Sequence, residues 1–229
     1  MSKPHRPENM TSVRNRTKAR VKRRVTTALS PREQNKLDKR ERIRDSAYAL
    51  FLQHGFEATT MAQVAEQAEV AKGTLFLYCS DKDDLLCLVM HDRLRSTVDR
   101  LFTTLPRRAE LLAQLMHVFG GLFEMYAEHP DLALSFIRVF PTAVGPNGQT
   151  LRGMTLGFLH QVSELVREAS VRGELDPEVP PMQAAHNLFA LYFAALLAGV
   201  SGHVPSLAMA RDVVLKASLE LQIRGLRLR

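Results

Sequence analysis

The sequence predicts an all-α protein, and three observations lead to that fold class. Long amphipathic stretches with apolar residues at helical spacing follow one another along the 229 residues. Alternation of the kind that strands require is scarce. Helix-start signals recur, first at residues 30–33 and again at residues 60–63. We therefore expect about nine helices, divided between a small N-terminal domain and a larger C-terminal one.

The positive charge of the chain is concentrated at its N-terminus. Residues 1–30 contain nine Lys or Arg and one acid, Glu8, whereas the rest of the chain is almost neutral. The stretch 1–29 has no apolar periodicity, so we expect a disordered basic arm. Such an arm could lie along DNA phosphates or could be a solvated tail. A third possibility is that translation starts later, for example at Met10.

Cysteine content and hydropathy favour a soluble protein of a reducing compartment. The two cysteines, Cys79 and Cys87, lie in predicted helices and do not suggest a disulfide framework. The N-terminus has no apolar core of the signal-peptide kind. The longest uncharged apolar run covers residues 188–200, which is shorter than the roughly 20 residues of a membrane span. We therefore expect a cytoplasmic protein without a membrane partner.

The first helix has strong boundary signals at both ends. Ser30 is suited to the N-cap, Pro31 to the first helical position and Glu33 to a capping box. Gly55 follows His54 and is expected to terminate the helix in a left-handed conformation. An inward apolar stripe is predicted for Ile43, Ala47, Leu50 and Phe51.

Residues 56–86 predict a helix-turn-helix motif on which the rest of the chain depends. A capping box at Thr60 and Gln63 begins a short amphipathic helix, and a second short helix is expected from Lys72 to Cys79. Helices this short are unstable alone, so they must pack against neighbours. In a helix-turn-helix motif the second helix enters the major groove of DNA.

The remaining chain is a succession of predicted amphipathic helices separated by Pro and Gly. Asp81 begins a long helix that continues to about Thr104. Further helices are expected near residues 108–128, 130–140, 148–173, 181–201 and 206–225. The predicted domains are thus a helix-turn-helix domain at 30–86, which continues into the linking helix to about 104, and a helical domain at 87–229.

Residues 42–86 closely resemble the N-terminal domain of TetR/AcrR-type transcriptional regulators. The matching pieces are His54-Gly55-Phe56, Ala58-Thr59-Thr60, Val64-Ala65, Lys72-Gly73-Thr74-Leu75, and Lys82 with Leu85. The resemblance implies a homodimer that binds a palindromic double-stranded DNA operator, most often as a repressor. It also implies a C-terminal domain that binds a small molecule and forms the dimer.

The candidate DNA contacts combine what helix ends can do with what the resemblance implies. Thr60 offers a hydroxyl and nearby backbone N–H groups to a phosphate, and Lys72 can reach a guanine edge or a phosphate. Gly73 permits close approach of the backbone. The resemblance implies that Tyr78 touches the DNA backbone and Lys82 a phosphate. The complete candidate set is Thr60, Ala62, Gln63, Lys72, Gly73, Thr74, Leu77, Tyr78 and Lys82.

The motif also departs from the family pattern. Glu69 stands where Gly is common, which costs about 1 kcal/mol if the residue is left-handed. Phe76 replaces a frequent Tyr, and Leu77 replaces a polar or aromatic residue. Few side chains in the middle of the second helix could then read bases. Sequence selectivity is left to Lys72, Thr74 and DNA shape, with the basic arm as a further candidate.

The C-terminal part predicts a ligand pocket instead of a catalytic site. HExxH, GxSxG, P-loop and spaced Cys/His patterns are absent from the sequence, so we expect no enzyme activity, cofactor or metal. Aromatic residues cluster as they do around pockets between helices, which favours a small apolar or amphipathic ligand. The pocket candidates are Phe119, Phe123, Tyr126, Phe136, Phe140, Phe158, His160, Phe189 and Tyr192. Arg138 and Gln161 are further candidate polar groups.

The last two helices are the predicted subunit contact. Small apolar residues characterise the first of them: Ala190, Ala194, Ala195, Leu197 and Ala198. A broad apolar stripe characterises the second: Leu207, Val214, Ala217, Leu221 and Ile223. Two such helices per subunit would form a four-helix interface with twofold symmetry.

Three other functions stay open at this point. The chain could coat DNA with little selectivity through its basic arm, or it could be a regulator controlled by a protein partner. It could also be a small helical enzyme with a vestigial DNA-binding domain.

Overall fold

A computed structural model describes Met1 and residues 30–227, and every regular element within 30–227 is helical. Residues 2–29 of the predicted basic arm lie outside the described residues. The helices are α1 (Pro31–His54), α2 (Met61–Gln67), α3 (Lys72–Leu75), α4 (Lys82–Thr103), α5 (Leu111–Ala127), α6 (Pro130–Val139), α7 (Pro146–Val171), α8 (Pro181–Val200), α9 (Leu207–Met209) and α10 (Lys216–Gly225). A π-helical segment, Ala210–Leu215, joins α9 to α10 without a break. The predicted all-α class with an N-terminal helix-turn-helix is confirmed.

Helix α1 forms as its boundary residues predict. The Ser30 hydroxyl accepts a hydrogen bond from the Glu33 backbone N–H at 3.3 Å, while the Glu33 carboxylate accepts from the Ser30 N–H at 2.9 Å. The predicted inward stripe of Ile43, Ala47, Leu50 and Phe51 is buried. Gly55 has φ +82° but an extended ψ of 159°, so it ends the helix with positive φ without being left-handed helical.

The second helix of the helix-turn-helix is shorter than predicted. Helix α3 ends at Leu75, and Phe76, Leu77 and Tyr78 form a turn instead of continuing to Cys79. Within this recognition turn the N–H groups of Leu77 and Tyr78 donate to carbonyls three residues earlier, at 3.1 and 2.9 Å. The tighter winding places Leu75 and Cys79 in the core and leaves Leu77 81% exposed.

Helix α4 connects the DNA-binding region to the rest of the protein. Its N-cap is Asp81, whose carboxylate accepts from the Asp84 N–H at 2.7 Å. It packs against α1 on one side and against α5, α6 and α7 on the other. The buried apolar residues therefore form one continuous core from α1 to α10.

Helix α8 packs mainly against α7 and against the π-helical segment. At Gly199 the close approach requires glycine, because a Cβ there would lie 2.9 Å from the Ala210 Cβ. Ala195 of α8 and Ile223 of α10 are buried inside the subunit. The prediction that these two residues contact another subunit is therefore wrong, since their helix faces turn inward.

Helix α8 is also long and apolar enough to cross a membrane by length and composition, with a mean hydropathy of 1.3 over 18 residues. One-third of that window is buried in the protein. The helix thus combines an inward face, which includes Leu188 and Leu196, with an apolar outward face, which includes Leu197.

Both cysteines are buried and free in the described structure. Burial raises the pKa of the Cys79 and Cys87 thiols to about 12, and the nearby Asp84 carboxylate adds to the effect. Thiols of this kind stay protonated at neutral pH and are poor nucleophiles.

Candidate DNA-binding surface and ligand cavity

Thr60 and Gln63 hold the start of α2 through a complete capping box. The Thr60 hydroxyl accepts from the Gln63 N–H at 3.3 Å, and the Gln63 side-chain oxygen accepts from the Thr60 N–H at 2.8 Å. The Thr60 hydroxyl also donates to that oxygen at 2.8 Å. Both side chains are exposed, as is Ala62 between them. Gln63 therefore acts as a cap, and only its amide nitrogen is left for a further partner.

The turn between α2 and α3 contains a left-handed residue. Glu69 has φ +52°. Gly is common at this position of the motif, so a left-handed residue is expected there. A non-glycine residue costs about 1 kcal/mol in this conformation. The Arg42 guanidinium lies 3.5 Å from the Glu69 carboxylate, but both side chains are largely exposed. Exposed pairs contribute little, so the backbone strain is only partly offset.

Helix α3 and the recognition turn present a continuous accessible surface. Lys72 and Gly73 are exposed at the start of α3, and Thr74 is half-buried. Leu77 is the most exposed apolar side chain of the recognition turn, and Tyr78 is half-buried beside it. A Cβ at Gly73 would meet no atom within 4 Å, so close packing inside the protein does not require a glycine there.

Lys82 is engaged by the protein more than the sequence suggests. Its ammonium donates to the Phe56 and Glu57 carbonyls at 3.1 and 3.0 Å and lies 4.5 Å from the centre of the Phe56 ring. The Glu57 carboxylate is 3.8 Å away. Two of the three ammonium hydrogens are thus used to hold the end of the α1–α2 connection, which leaves one for a phosphate.

A buried carboxylate and its hydrogen-bond partners join the recognition turn to α7. We call this group of residues the Asp84 clamp; it consists of Tyr78, Ser80, Asp84, Asn147 and Gly148. Asp84 is 1% exposed and accepts from the backbone N–H groups of Ser80, Asn147 and Gly148 at 3.1, 2.8 and 3.0 Å. The Asn147 side-chain amide donates both to Asp84 at 3.0 Å and to the Tyr78 carbonyl at 2.8 Å. Asp84 therefore supplies the N-cap that α7 lacks, because the capping residue there is Gly145.

Gly145 makes room for the Asp84 clamp. Its φ of −64° is ordinary, so the glycine is required by space and not by backbone conformation. A Cβ at this position would lie 2.2 Å from the Asp84 Cγ and 2.3 Å from one carboxylate oxygen. In the sequence Asp84 is an acid in the first turn of a helix, which favours the helix dipole. Its partners Asn147 and Gly148 are 63 and 64 residues away, so no local pattern could have indicated the clamp.

An apolar cavity of about 60 Å³, which is partly open to solvent, lies between α4, α5, α6, α7 and α8. Helices α4 and α7 supply two of its walls, through Leu94 and Val98 on the first and Met154 and Thr155 on the second. The complete lining is Leu94, Val98, Leu122, Tyr126, Phe136, Ile137, Phe140, Leu151, Met154, Thr155, Phe158, Phe189, Tyr192 and Phe193.

Six of the nine predicted pocket residues lie at this cavity: Tyr126, Phe136, Phe140, Phe158, Phe189 and Tyr192. The other three placements are wrong. Phe119 stacks on the far side of Tyr192 with ring centres 4.8 Å apart, and Phe123 packs edge-on against Tyr192 at 5.8 Å. His160 is exposed on the outer face of α7, as are Gln161 on α7 and Arg138 on α6.

The polar groups at the cavity are neutral hydroxyls. Burial raises the pKa of the Tyr126 and Tyr192 phenols well above the usual value, so both stay protonated. The Thr155 hydroxyl already donates to the Leu151 carbonyl at 3.0 Å. The residues that line the cavity include no ionised side chain, so the cavity suits an apolar chain better than a charged group.

Residues 43–87 match the family model for bacterial regulatory proteins of the tetR family. This segment is a DNA-binding domain of the TetR family. The matched residues cover the inward face of α1, the whole helix-turn-helix and the start of α4. A TetR-family chain is a DNA-binding transcriptional regulator, which agrees with the exposed surface of α3 and with the predicted function.

Two curated relatives of the chain are named as regulators. The chain is 34% identical over 73 residues to the regulator HbdR of Aromatoleum sp. (strain CIB), a match that covers 32% of this chain and 30% of HbdR. It is 23% identical over 133 residues to the fatty acid metabolism regulator protein of Bacillus subtilis (strain 168), over 58% of this chain and 69% of that protein.

The fold is similar to that of a solved TetR-family repressor, Thermus thermophilus FadR in complex with lauroyl-CoA. The two chains are 27% identical and superpose with a TM-score of 0.64, over 83% of this chain and 96% of the FadR chain. The similarity therefore extends through the helices that surround the cavity.

Proposed function

We propose that the protein is a homodimeric repressor whose affinity for a palindromic operator changes when a ligand with a long apolar chain enters the cavity. The observation that carries this proposal is the Asp84 clamp, which bonds the recognition turn to the helix that forms one wall of the cavity. A fatty acyl-CoA is the first candidate ligand. Its acyl chain suits the apolar lining, and the related FadR protein was solved with lauroyl-CoA.

Recognition of the operator would begin at the exposed N-terminal end of α3. Lys72 and Thr74 would face base edges or phosphates, while Thr60 and Tyr78 would contact phosphates on either side. Ala62, Gly73 and Leu77 would contribute close approach and apolar contact, and Gln63 would mainly keep Thr60 in place. Lys82 would offer its remaining hydrogen to a phosphate.

Replacement of Lys72 by alanine tests this DNA surface. We expect a loss of about 1–3 kcal/mol in binding free energy, roughly 5- to 150-fold in Kd, because one cationic contact per subunit disappears. The probe is a duplex selected by the wild-type protein from a random library, and binding is measured by fluorescence anisotropy. Arg107→Ala, which removes one exposed charge between α4 and α5, is the control. Wild-type affinity in the Lys72 variant would contradict the assignment of α3.

Coupling between the cavity and DNA would pass along α7. Thr155 lies eight residues after Asn147 on the same helix, a separation of about 12 Å at the α-helical rise. A chain that pushes Met154 or Thr155 outward would move the α7 N-terminus, and with it Asp84, Tyr78 and the recognition turn. The ligand shifts the equilibrium only if it binds the two arrangements with different affinity.

The ligand proposal is tested by the response of operator binding to dodecanoyl-CoA and hexadecanoyl-CoA, with free CoA as the reference. We expect at least a tenfold loss of affinity with an acyl-CoA and none with CoA. Thr155→Trp should abolish the response by filling the cavity. Thr150→Trp is the matched control, because Thr150 is an exposed threonine of α7 with the same hydrogen bond to the carbonyl four residues earlier. Equal responses of the two variants would place the ligand elsewhere.

Dimerisation would use the outer faces of α8 and α10. Apolar side chains are exposed there at Leu197 (41%) and Leu221 (68%), and Val214 is at the edge of the same region. Ala190, Ala194 and Ala217 are exposed small residues that would allow close helix approach. Covering this surface with its symmetry mate would form a four-helix interface and would bury the apolar outward face of α8. As a DNA-binding regulator the protein would act in the cytoplasm and would not be an enzyme.

A further inference from the structure

We infer that the N-terminal turns of α1 form a second phosphate-binding surface, outside the matched helix-turn-helix domain, which clamps the DNA backbone beside the recognition turn. The surface consists of Arg32, Lys36 and Lys39, and we call it the α1 cationic stripe. Its partner is the sugar–phosphate backbone of duplex DNA. The inference deepens the proposed function and rests on operator binding by the helix-turn-helix.

The α1 cationic stripe is built by helical spacing. Arg32, Lys36 and Lys39 lie at intervals of four and three residues, so they share one face of α1. That same face continues at Ile43, the first buried residue of the inward stripe. The face that packs on the helix-turn-helix at Ile43 therefore carries cations where α1 extends beyond the packed core.

The stripe faces the DNA-binding surface across an open groove. Arg32, Lys36 and Lys39 line one side of the groove, and Leu77 and Tyr78 of the recognition turn line the other. A duplex seated on Lys72 and Tyr78 has phosphates along this edge, because the backbone borders the groove that α3 would enter. The recognition turn thus fixes where the backbone lies, and α1 brings cations to that place.

The charges of the stripe are available, unlike those of the neighbouring cations on α1. Arg40 and Arg44 lie 3.7 and 2.6 Å from the Asp92 carboxylate, and Arg42 pairs with Glu69. In contrast, no carboxylate within residues 30–227 lies within 4.0 Å of Arg32, Lys36 or Lys39. Arg32 and Lys36 are exposed, and Lys39 is half-buried.

One acid, Glu33, also borders the groove, and its carboxylate is hydrogen-bonded within the capping box of α1. The Glu33 carboxylate accepts from the Ser30 N–H at 2.9 Å and from the Ser30 hydroxyl at 2.7 Å. These hydrogen bonds lower its pKa, so it is ionised at neutral pH and serves the capping box. The groove lining thus has three cations and one capped anion, a net charge of +2. Such a surface attracts a polyanion.

The inference is tested with the triple variant Arg32→Gln/Lys36→Gln/Lys39→Gln in the full-length protein. The slope of log Kobs against log salt is negative, and each lost phosphate contact should reduce its magnitude by about 0.9. The triple variant should therefore show a slope that is shallower by up to about 2.7 per bound subunit. Affinity for the selected duplex should fall at least tenfold at 0.1 M salt. The ratio of affinities for the selected and a scrambled duplex should stay unchanged, because phosphate contacts carry no base information.

The matched control, Arg107→Gln/Arg108→Gln/Arg224→Gln, removes the same charge from exposed positions of the C-terminal part. Glutamine keeps the helix propensity of the α1 positions, and thermal unfolding of each variant checks that the fold is retained. A stripe variant with the salt slope of the control would overturn the inference, as would a loss of site preference. If the wild-type protein selects no duplex, the proposed function itself fails, which is a distinguishable result.

Discussion

Replacement of Asp84 by alanine is expected to lower the free energy of unfolding by about 3 kcal/mol. The carboxylate is buried and accepts from three backbone N–H groups and one side-chain amide. Hydrogen bonds to a charged group contribute about 1.5–3 kcal/mol each, and donors left unpaired in a buried site add to the cost. Relief of the desolvation of one carboxylate offsets only part of this sum. Urea unfolding measures the difference.

The same variant should separate binding of the ligand from the release of DNA that the ligand causes. Without the Asp84 carboxylate only the Asn147 amide still bonds α7 to the recognition turn, through the Tyr78 carbonyl. Dodecanoyl-CoA should therefore still bind but should release DNA less effectively. Asp83→Ala is the matched control: Asp83 is the preceding residue and is exposed, so its loss should cost less than about 1 kcal/mol. Wild-type stability together with full ligand response in the Asp84 variant would refute the role of the clamp.

Replacement of Phe119 by alanine should have the other large effect, a loss of about 3–5 kcal/mol of unfolding free energy. Phe119 is completely buried, stacks on Tyr192 and contacts Phe158 at a ring-centre distance of 6.1 Å. Truncation removes the apolar burial of the ring and leaves a void behind the cavity wall. The midpoint of thermal unfolding, followed by circular dichroism, should fall on the order of 10 °C.

Phe76→Ala is the control for Phe119, since it truncates the same side chain at a site that is 46% exposed. Its effect on stability should stay within about 0.5 kcal/mol. If the two variants unfolded at the same temperature, Phe119 would not support the wall of the cavity as the structure indicates. That result would mean that Tyr192 moves into the space left by the Phe119 ring.

The Asp84 clamp links α7 to the recognition turn, and its buried carboxylate explains two features that otherwise look unrelated. Gly145 is required because any Cβ would displace Asp84, and α7 has no side-chain cap of its own because Asp84 caps it from α4. Both features follow from the need to bring two helix N-termini, α4 and α7, to the same place. An anion between two such termini is favourable electrostatically.

The sequence by itself determined the elements whose causes are local. The capping boxes at Ser30 and Thr60, the positive φ at Gly55 and Glu69, and the inward stripe of α1 follow from residues within one or two helical turns of one another. The all-α class and most helix bounds could be predicted for the same reason. The resemblance over residues 42–86 could also be recognised, because the helix-turn-helix is one short continuous segment.

Only the tertiary structure decided which faces meet across long separations in the chain. Helical periodicity shows that Phe119, Phe123 and Phe158 point inward, but it does not show that Phe158 reaches the cavity while the other two lie behind Tyr192. The engagement of Lys82 by two carbonyls required the fold of the α1–α2 connection. Asp84 reads in sequence as one acid among several at a helix start. Its role depends on α7, which begins more than 60 residues later and reaches it only when the whole core has formed.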